Sequence, residues 1–330
     1  MSNESLNMEG ATLPSISRIA YMPVTLFSII MGLTGAAIAC RKAFPDSVMM
    51  HSAGFFLGVM SSVLLTVFVA MYVFKMLKYR DEFLHELRHM VRINFFPTIS
   101  ISLLLQSAYW SGWHDISLYL WSAGAMLQLM FTLFIMSSWI HREHFNIAHT
   151  NPAWFIPVVG NIVVPLAGVG LGFHETSLFF FSIGLIFWFC LLTIVLYRLF
   201  FHESLPDKLM PTMFILLAPP SIGFIAYTDI IGSTDFFAHI IYYFALFVFI
   251  LLMYNTLTFM KLKFYLSSWA YSFPLAAFSA ASAKFADSTG SVIPYFLAKI
   301  VVCALIGLIV WLISMTVLSF YKGELFIPEK

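Results

Sequence analysis

The feature that most constrains the fold is a succession of long apolar stretches, which leaves little of the chain for anything else. A helix needs about 20 apolar residues to cross the hydrocarbon core of a bilayer. Of the 330 residues, 61% are hydrophobic and only 10% are charged, which excludes a soluble domain with a polar shell. We therefore predict an all-α integral membrane protein with ten transmembrane helices, at 22–40, 48–74, 94–110, 116–140, 153–172, 177–200, 209–227, 236–260, 268–286 and 294–320.

This count leaves room for one domain and two short tails. We predict a cytoplasmic tail at 1–18, a transmembrane domain at 19–320 and a second cytoplasmic tail at 321–330. The first apolar stretch is too long for the core of a cleavable signal peptide and leads directly into further stretches. With tails this short, control by phosphorylation is not expected.

Prolines inside the stretches fall on alternate ones, namely the first, third, fifth, seventh and ninth, while Pro294 stands at the first turn of the tenth, where a missing N–H costs nothing. A proline inside a helix removes one backbone hydrogen bond, and in lipid the freed carbonyl must be satisfied by neighbouring helices or by a water-filled cavity. The pattern predicts five helical hairpins, each with a kinked inner helix followed by a straight outer one. The kink-forming residues are Pro23, Pro97, Pro157, Pro165, Pro219, Pro220 and Pro274.

Lysine and arginine are distributed unequally between the two predicted sides of the membrane. The side that carries both termini has thirteen: Arg18, Lys75, Lys78, Arg80, Arg88, Arg92, Arg142, Arg198, Lys208, Lys261, Lys263, Lys322 and Lys330. The opposite side has four: Arg41, Lys42, Lys284 and Lys299. The positive-inside rule then places both termini in the cytoplasm, and termini on the same side require an even number of spans, as ten is. No tract rich in lysine or arginine suggests a nucleic-acid partner.

The proline-bearing stretches contain no ionisable side chain over 22–40, 95–110, 153–172, 210–227 and 268–282. Carriers and proton pumps usually keep ionisable groups at membrane depth, so this absence favours passive conduction. Small residues on these stretches are candidates to line a lumen, although each of them is also suited to close helix packing. The candidates are Ser28, Gly32, Gly160 and Ser272.

An anion is favoured as the permeating ion. Helices interrupted by proline present backbone N–H groups and positive dipole ends, which stabilise an anion without a basic side chain. Neither a ring of acidic residues nor a carbonyl filter of the kind that selects cations is evident. Lys284, placed just past the ninth helix, would add a positive mouth, or would simply extend its ammonium group to the membrane interface.

Three sequence motifs are distinctive: WAYSFPLAAFSAASAKF at 269–285, which is the most specific, NPAWFIPVVGN at 151–161 and LAPP at 217–220. They resemble motifs of the slow-type anion channel family, whose bacterial branch is known as TehA and includes tellurite-resistance and dicarboxylate transporters. The resemblance implies five hairpins around a quasi-fivefold central pore, with the odd helices inside, and a trimer with one pore per subunit. It also implies that Phe273 plugs the pore and that Ser28 faces its ring.

Two other functions remain open from the residues. A secondary carrier that exports dicarboxylate, sulfite or tellurite-type oxyanions is one, although the uncharged inner stretches weigh against proton coupling. A membrane di-iron enzyme is the other, because His85 and His89 are four residues apart and His141, His144 and His149 follow the fourth stretch. Such enzymes need more ligands in tighter clusters, so we expect no metal, no cofactor and no catalytic site.

The sequence therefore predicts a channel for small monovalent anions such as chloride and nitrate, in the bacterial inner membrane. Its expected partners are inorganic anions, the lipid bilayer and two further copies of the chain.

Overall fold

The computed structural model describes residues 18–141 and 147–326, and within these ranges the chain is helical with no β-strand. The predicted tails, apart from Arg18 and 321–326, lie outside the described residues, as do Arg142 and His144. Long, exposed helices alternate along the chain with shorter, buried segments.

The five long helices contain 19 to 31 residues each and correspond to the even-numbered stretches of the sequence. Many of their large apolar side chains are exposed, as a lipid-facing surface requires. They are α2 (Val48–Lys78), α5 (His114–His141), α8 (His174–Phe201), α10 (Phe236–Tyr254) and α13 (Val292–Tyr321).

The odd-numbered stretches form shorter α-helices, each entered through a 3₁₀ turn. The α-helical parts are α1 (Phe27–Ala43), α4 (Thr98–Tyr109), the pair α6 (Phe155–Val159) and α7 (Pro165–Gly168), α9 (Ala218–Ile231) and α12 (Ser272–Thr289). The 3₁₀ parts are Val24–Leu26, Arg92–Phe95, Pro152–Trp154 with Gly160–Val163, Met210–Leu217 and Leu266–Tyr271. Two small helices, α3 (Arg80–Arg88) and α11 (Thr256–Met260), lie in the connections.

The structure places the predicted kink-forming prolines close to changes of helix geometry, while the kinks themselves stay a prediction. Pro97 immediately precedes α4, and Pro165 is the first residue of α7. Pro157, Pro219, Pro220 and Pro274 stand within the first three residues of α6, α9 and α12. The first four N–H groups of an α-helix have no partner within it, so proline is accommodated there without loss of a hydrogen bond. The prolines therefore mark where 3₁₀ geometry gives way to α-helix.

The short segments contact one another in sequence. α1 packs against α4, α4 against α7, α7 against α9 and α9 against α12, and α12 returns to α1. The long helices pack on the outside of these pairs; for example, α2 packs on α1, α5 on α4 and α13 on α12.

Seven helices in the described part of the chain are long and apolar enough to cross a membrane, so the protein is a multi-pass membrane protein. Two of them, Val24–Ala43 and Met210–Ile231, belong to the short segments and are largely buried. In these two helices, 78% and 61% of the most apolar 18 residues are buried. The other five are buried over only 22–33%. The third, fifth and ninth predicted stretches fall below the length or hydropathy of a spanning helix, so the count of ten spans stays a prediction.

A buried ion pair fastens α3 to the beginning of the first short segment. Glu86 accepts hydrogen bonds from the Lys75 ammonium at 2.6 Å, the Tyr72 hydroxyl at 2.8 Å and the backbone N–H of Val24 at 2.7 Å. Lys75 also donates to the carbonyl of Met22 at 2.8 Å, and both charged side chains are almost fully buried. Every strong hydrogen-bonding group here is paired, which is the condition for keeping a charge away from water.

A second buried network joins α1, α2 and α4 through the amide of Gln106. Its Nε2 donates to Thr34 at 2.9 Å and to Ser61 at 3.0 Å, while its Oε1 accepts from Ser62 at 2.8 Å. The three helices are thereby held in one register across an apolar interface.

Candidate functional site

A narrow cavity of about 70 Å³ lies among the short segments and takes lining residues from all of them. They contribute Ser28 from the first, Thr98 from the third, Gly160 from the fifth, Pro219 from the seventh and Phe273 from the ninth. None of the residues that line this central cavity carries a formal charge. The space holds only a few water molecules.

Phe273 lines both the central cavity and a wider cavity of about 630 Å³, which we call the far vestibule. Phe273 lies at the second position of α12, is 8% exposed, and lines both cavities together with Ile222 of α9. Gly35 of α1 faces the same ring: a Cβ placed on Gly35 would lie 3.2 Å from Phe273 Cδ2. The Phe273 ring is thus packed closely against Gly35 of α1 and lines the cavities beside Ile222 of α9; we call this position the seat of the ring.

At the opposite end, Phe95 lines both the central cavity and a third cavity of about 600 Å³, the near vestibule. This vestibule is bounded by the beginnings of short segments, including Pro23, Leu209 and Leu266. The far vestibule is bounded by their ends, including Lys42, Gly170 and Lys284. The three cavities therefore follow one another along the direction of the short segments, with a phenylalanine at each junction.

The near vestibule is lined by three basic side chains, His89, Arg92 and Lys208, and by two carboxylates, Glu86 and Glu324. Burial lowers the pKa of Lys208, and the charge of Arg92 lowers it further. Burial is also the main cause of the lowered pKa of His89, to which the positive charges of Arg92, His85 and Lys208 add. These shifts indicate that the basic groups are close enough to repel one another.

The contacts of His89 agree with a neutral imidazole. Its Nδ1 accepts hydrogen bonds from the backbone N–H groups of Val91 at 3.2 Å and Arg92 at 3.3 Å. A proton on Nδ1 would break both contacts.

In the far vestibule, Lys284 lies inside α12 and not past its end as predicted, because the helix continues to Thr289 and ends at Gly290. Gly290 adopts a φ of 69°, the left-handed geometry that commonly ends helices. The Lys284 ammonium donates to the carboxylate of Asp229 and to the carbonyl of Ile225 at 3.3 Å. Its charge is therefore partly compensated by α9.

The structure distributes the predicted site residues among these cavities. Ser28, Gly160, Pro219, Phe273 and Pro274 line the central cavity, and Pro23 lines the near vestibule. The remaining candidates line none of the three cavities: Gly32, Pro97, Pro157, Pro165, Pro220 and Ser272.

Gly32 has a packing role that the structure makes clear. A Cβ on Gly32 would lie 2.1 Å from the Ser272 hydroxyl oxygen and 3.2 Å from the Trp269 ring, so only glycine allows α1 and α12 to approach this closely. Ser272 is fully buried, and its hydroxyl donates to the carbonyl of Trp269 at 2.6 Å.

Four residues important to these cavities were not identified as site residues from the sequence: Phe95, Ile222, Gly35 and Asp229. Phe95 and Ile222 are ordinary apolar residues without a distinguishing motif, and only their positions at the junctions single them out. The signal for Asp229 was its charge, since it is the one carboxylate that closely follows the seventh stretch.

Within 18–141 and 147–326, no three histidine, cysteine, aspartate or glutamate side chains come together as a metal site would require. His144 of the histidine group considered above lies outside the described residues.

Comparison with known proteins gives consistent matches over most of the chain. The family model described as "SLAC1: Voltage-dependent anion channel" matches residues 21–318. The chain is 27% identical to a tellurite resistance protein TehA homolog from Haemophilus influenzae, over 93% of each chain. It is 28% identical to the S-type anion channel SLAH2 and 27% to SLAH3, both from Arabidopsis thaliana, over 96% and 92% of this chain.

Relative lengths differ among these proteins. The matches cover 62% of SLAH2 and 49% of SLAH3, so the chain spans between half and two thirds of the length of these plant relatives. An uncharacterized transporter from Methanocaldococcus jannaschii matches over 95% of its length at 27% identity. Because the family model covers nearly the whole helical part of the structure, the chain belongs to the SLAC1 voltage-dependent anion channel family.

Proposed function

We propose that this protein is an anion channel whose path runs through the near vestibule, past Phe95, along the central cavity, past Phe273 and into the far vestibule. The observation that carries the proposal is that all five short segments line the central cavity, while Phe273 lines both this cavity and the far vestibule. Phe273 shares this position with Ile222 of α9, which also lines both cavities.

We further propose the quasi-fivefold arrangement of five hairpins, with ten membrane spans. Its support is the sequence of contacts from α1 through α4, α7, α9 and α12 back to α1, each with a long helix outside. Backbone of irregular geometry is tolerated at membrane depth only where protein or a water-filled cavity surrounds it. The 3₁₀ turns of the short segments meet that condition because the long helices shield them from lipid.

We propose that Phe273 closes this path. An apolar constriction that is too narrow to keep an ion hydrated expels water and blocks conduction without any charge. The central cavity, of about 70 Å³, is nearly all apolar on its lining and meets this description. Movement of the Phe273 ring out of its seat would join the central cavity to the far vestibule.

The electrostatics favour anions. No carboxylate lines the central cavity, and the near vestibule concentrates Arg92, Lys208 and His89 at one entrance. Two glutamates also line that vestibule, Glu86 and Glu324, and the charge of Glu86 is compensated by Lys75. Since the lumen offers dipoles and hydroxyls in place of fixed charges, we expect selection of monovalent anions that dehydrate readily, such as nitrate and chloride.

We propose that the channel lies in the plasma membrane, which in a bacterium is the inner membrane, and that both termini lie in the cytoplasm. The excess of lysine and arginine on the side of the termini supports this orientation. A homotrimer with one pore per subunit is proposed from the family resemblance. The mass of the detergent-solubilised protein, measured by light scattering, tests it.

The central test is current through Phe273→Ala in planar bilayers with chloride or nitrate gradients. Removing the ring should raise anion current roughly tenfold or more over a nearly silent wild type, because the apolar constriction is widened. The matched control is Phe278→Ala on the same helix, since Phe278 is fully buried and stacks on Phe249 with ring centroids 4.5 Å apart. It does not line the central cavity.

Phe278→Ala should lower stability without opening the path. The gate assignment fails if Phe273→Ala conducts no better than wild type, or if Phe278→Ala conducts equally well. A reversal potential that follows the cation gradient would refute anion conduction. Saturable flux of a dicarboxylate that depends on a proton gradient would point to a carrier.

A further inference from the structure

The far vestibule contains an ion pair that joins two of the helices bounding it. Lys284 of α12 donates a hydrogen bond to Asp229 of α9, and the two side chains are 29% and 35% exposed. Both residues line the vestibule, so the pair faces its open space. An incoming anion can therefore reach the ammonium group from the vestibule.

Helix geometry places the pair on the same stripes as the Phe273 junction. On α12 the vestibule is lined by Phe273, three alanines and then Lys284, which stands eleven residues after Phe273, or about 16 Å along the helix axis. On α9 it is lined by Ile222, Ile225 and then Asp229. An ion travelling between Phe273 and the far side passes apolar and small residues first and this pair next.

The formal charges of the far vestibule nearly cancel. Besides Asp229 and Lys284, the lining includes Lys42 from α1, Asp287 from α12 and His114 from α5. Two lysines are thus matched by two aspartates, with one histidine in addition. The near vestibule has a similar balance, with Arg92, Lys208 and His89 beside two glutamates, so neither vestibule carries a large net charge.

We propose that Lys284 is a transient anion-binding site of the far vestibule and that Asp229 is its built-in competitor. This inference rests on the proposed function. A permeating ion must bind well enough to enter and weakly enough to leave. The partly exposed ammonium group of Lys284 attracts an anion. The carboxylate of Asp229 competes with that anion for the ammonium group and so speeds release of the anion. The pair sets the anion concentration at which conduction saturates from this side.

The test measures chloride conductance in a Phe273→Ala background while chloride is varied only on the side opposite the termini. Adding Asp229→Asn removes the competitor, so the half-saturating chloride concentration should fall about three- to fivefold, the effect of losing one partly exposed charge partner. Adding Lys284→Met should instead reduce conductance at low chloride. With both substitutions, the effect of Asp229→Asn on saturation should disappear.

The matched control is Asp287→Asn, which removes a carboxylate from the same vestibule one turn further along α12. If Asp287→Asn lowers the half-saturating concentration as much as Asp229→Asn does, a general field effect explains the data and the pair has no special role. Unchanged saturation in Asp229→Asn, in a background that conducts anions, overturns the inference and leaves the channel intact.

A second measurement reads the site without current, for the case in which Phe273→Ala does not conduct. Thermal unfolding of the purified protein is followed as sodium nitrate is added, in wild type, Asp229→Asn and the double variant Asp229→Asn, Lys284→Met. Binding to the folded state raises the melting temperature. We expect a larger nitrate-dependent rise in Asp229→Asn than in either of the others. Equal rises in all three refute the site.

Discussion

Removal of the Glu86 carboxylate should destabilise the protein more than removal of any exposed charge. Glu86 accepts three hydrogen bonds, of which one comes from the Lys75 ammonium at 2.6 Å and one from the backbone N–H of Val24 at 2.7 Å. In Glu86→Ala, the Lys75 ammonium remains almost fully buried with only the Met22 carbonyl as acceptor. The first short segment also loses its link to α3.

Breaking a buried ion pair by removing one partner typically costs about 3–5 kcal/mol, because an uncompensated charge stays behind. For a chain of this length that corresponds to roughly 5–10 °C in melting temperature. Glu86→Gln retains a carbonyl acceptor for Lys75 and should lose about half as much. Lys75→Met combined with Glu86→Gln removes both charges and should recover most of the loss seen in Glu86→Ala.

Thermal unfolding of the detergent-solubilised protein, followed by tryptophan fluorescence, is a suitable assay. Asp81→Asn is the matched control, because Asp81 is an exposed carboxylate at the beginning of the same helix. The reasoning is refuted if Glu86→Ala melts within about 1 °C of Asp81→Asn, or if the double variant is less stable than Glu86→Ala.

Two further predictions concern the constriction and the near vestibule. A Cβ on Gly35 would lie 3.2 Å from Phe273 Cδ2 and 3.0 Å from Ala276 Cβ, so Gly35→Ala should displace the ring and raise basal anion current several-fold. Gly170→Ala should leave the basal current unchanged, because its Cβ would meet only a carbonyl oxygen at 3.6 Å. In a Phe273→Ala background, Gly35→Ala should have no effect on the current. An effect there would refute the proposed contact between residue 35 and the Phe273 ring. Because the pKa of His89 is lowered, its imidazole is protonated only at a pH below 6.5, the ordinary pKa of a histidine. Acidifying the near side should therefore add positive charge and increase anion current, and should lower stability because the unfolded state binds this proton more readily. Loss of the acid-induced current in His89→Gln would confirm the assignment, and its persistence would exclude His89.

The sequence predicted the helical class, the long outer helices and their approximate limits, because an apolar stretch of membrane length has few alternatives. It also identified the proline-bearing stretches as the buried ones. That result follows from the need to satisfy irregular backbone inside protein. Family resemblance, and not residue pattern, singled out Phe273 from 36 phenylalanines.

What the sequence did not predict depends on contacts between distant segments. Phe95 and Ile222 are apolar residues among many, and only packing brings them to the junctions of the cavities. Lys284 was placed past its helix because it is the first charged residue after the apolar stretch, whereas α12 continues to Thr289. Its pairing with Asp229 joins residues 55 positions apart, which no local pattern specifies.

The 3₁₀ turns also change how far each short segment reaches. A 3₁₀ helix rises about 2.0 Å per residue and an α-helix about 1.5 Å, so Met210–Leu217 extends about 16 Å where an α-helix of equal length would extend about 12 Å. Leu266–Tyr271 gains about 3 Å in the same way. These segments cover a given depth of bilayer with fewer residues than a uniform helix needs, and a count based on α-helical length underestimates their reach. A segment with fewer residues per unit of depth also places fewer apolar side chains around the cavity that it encloses.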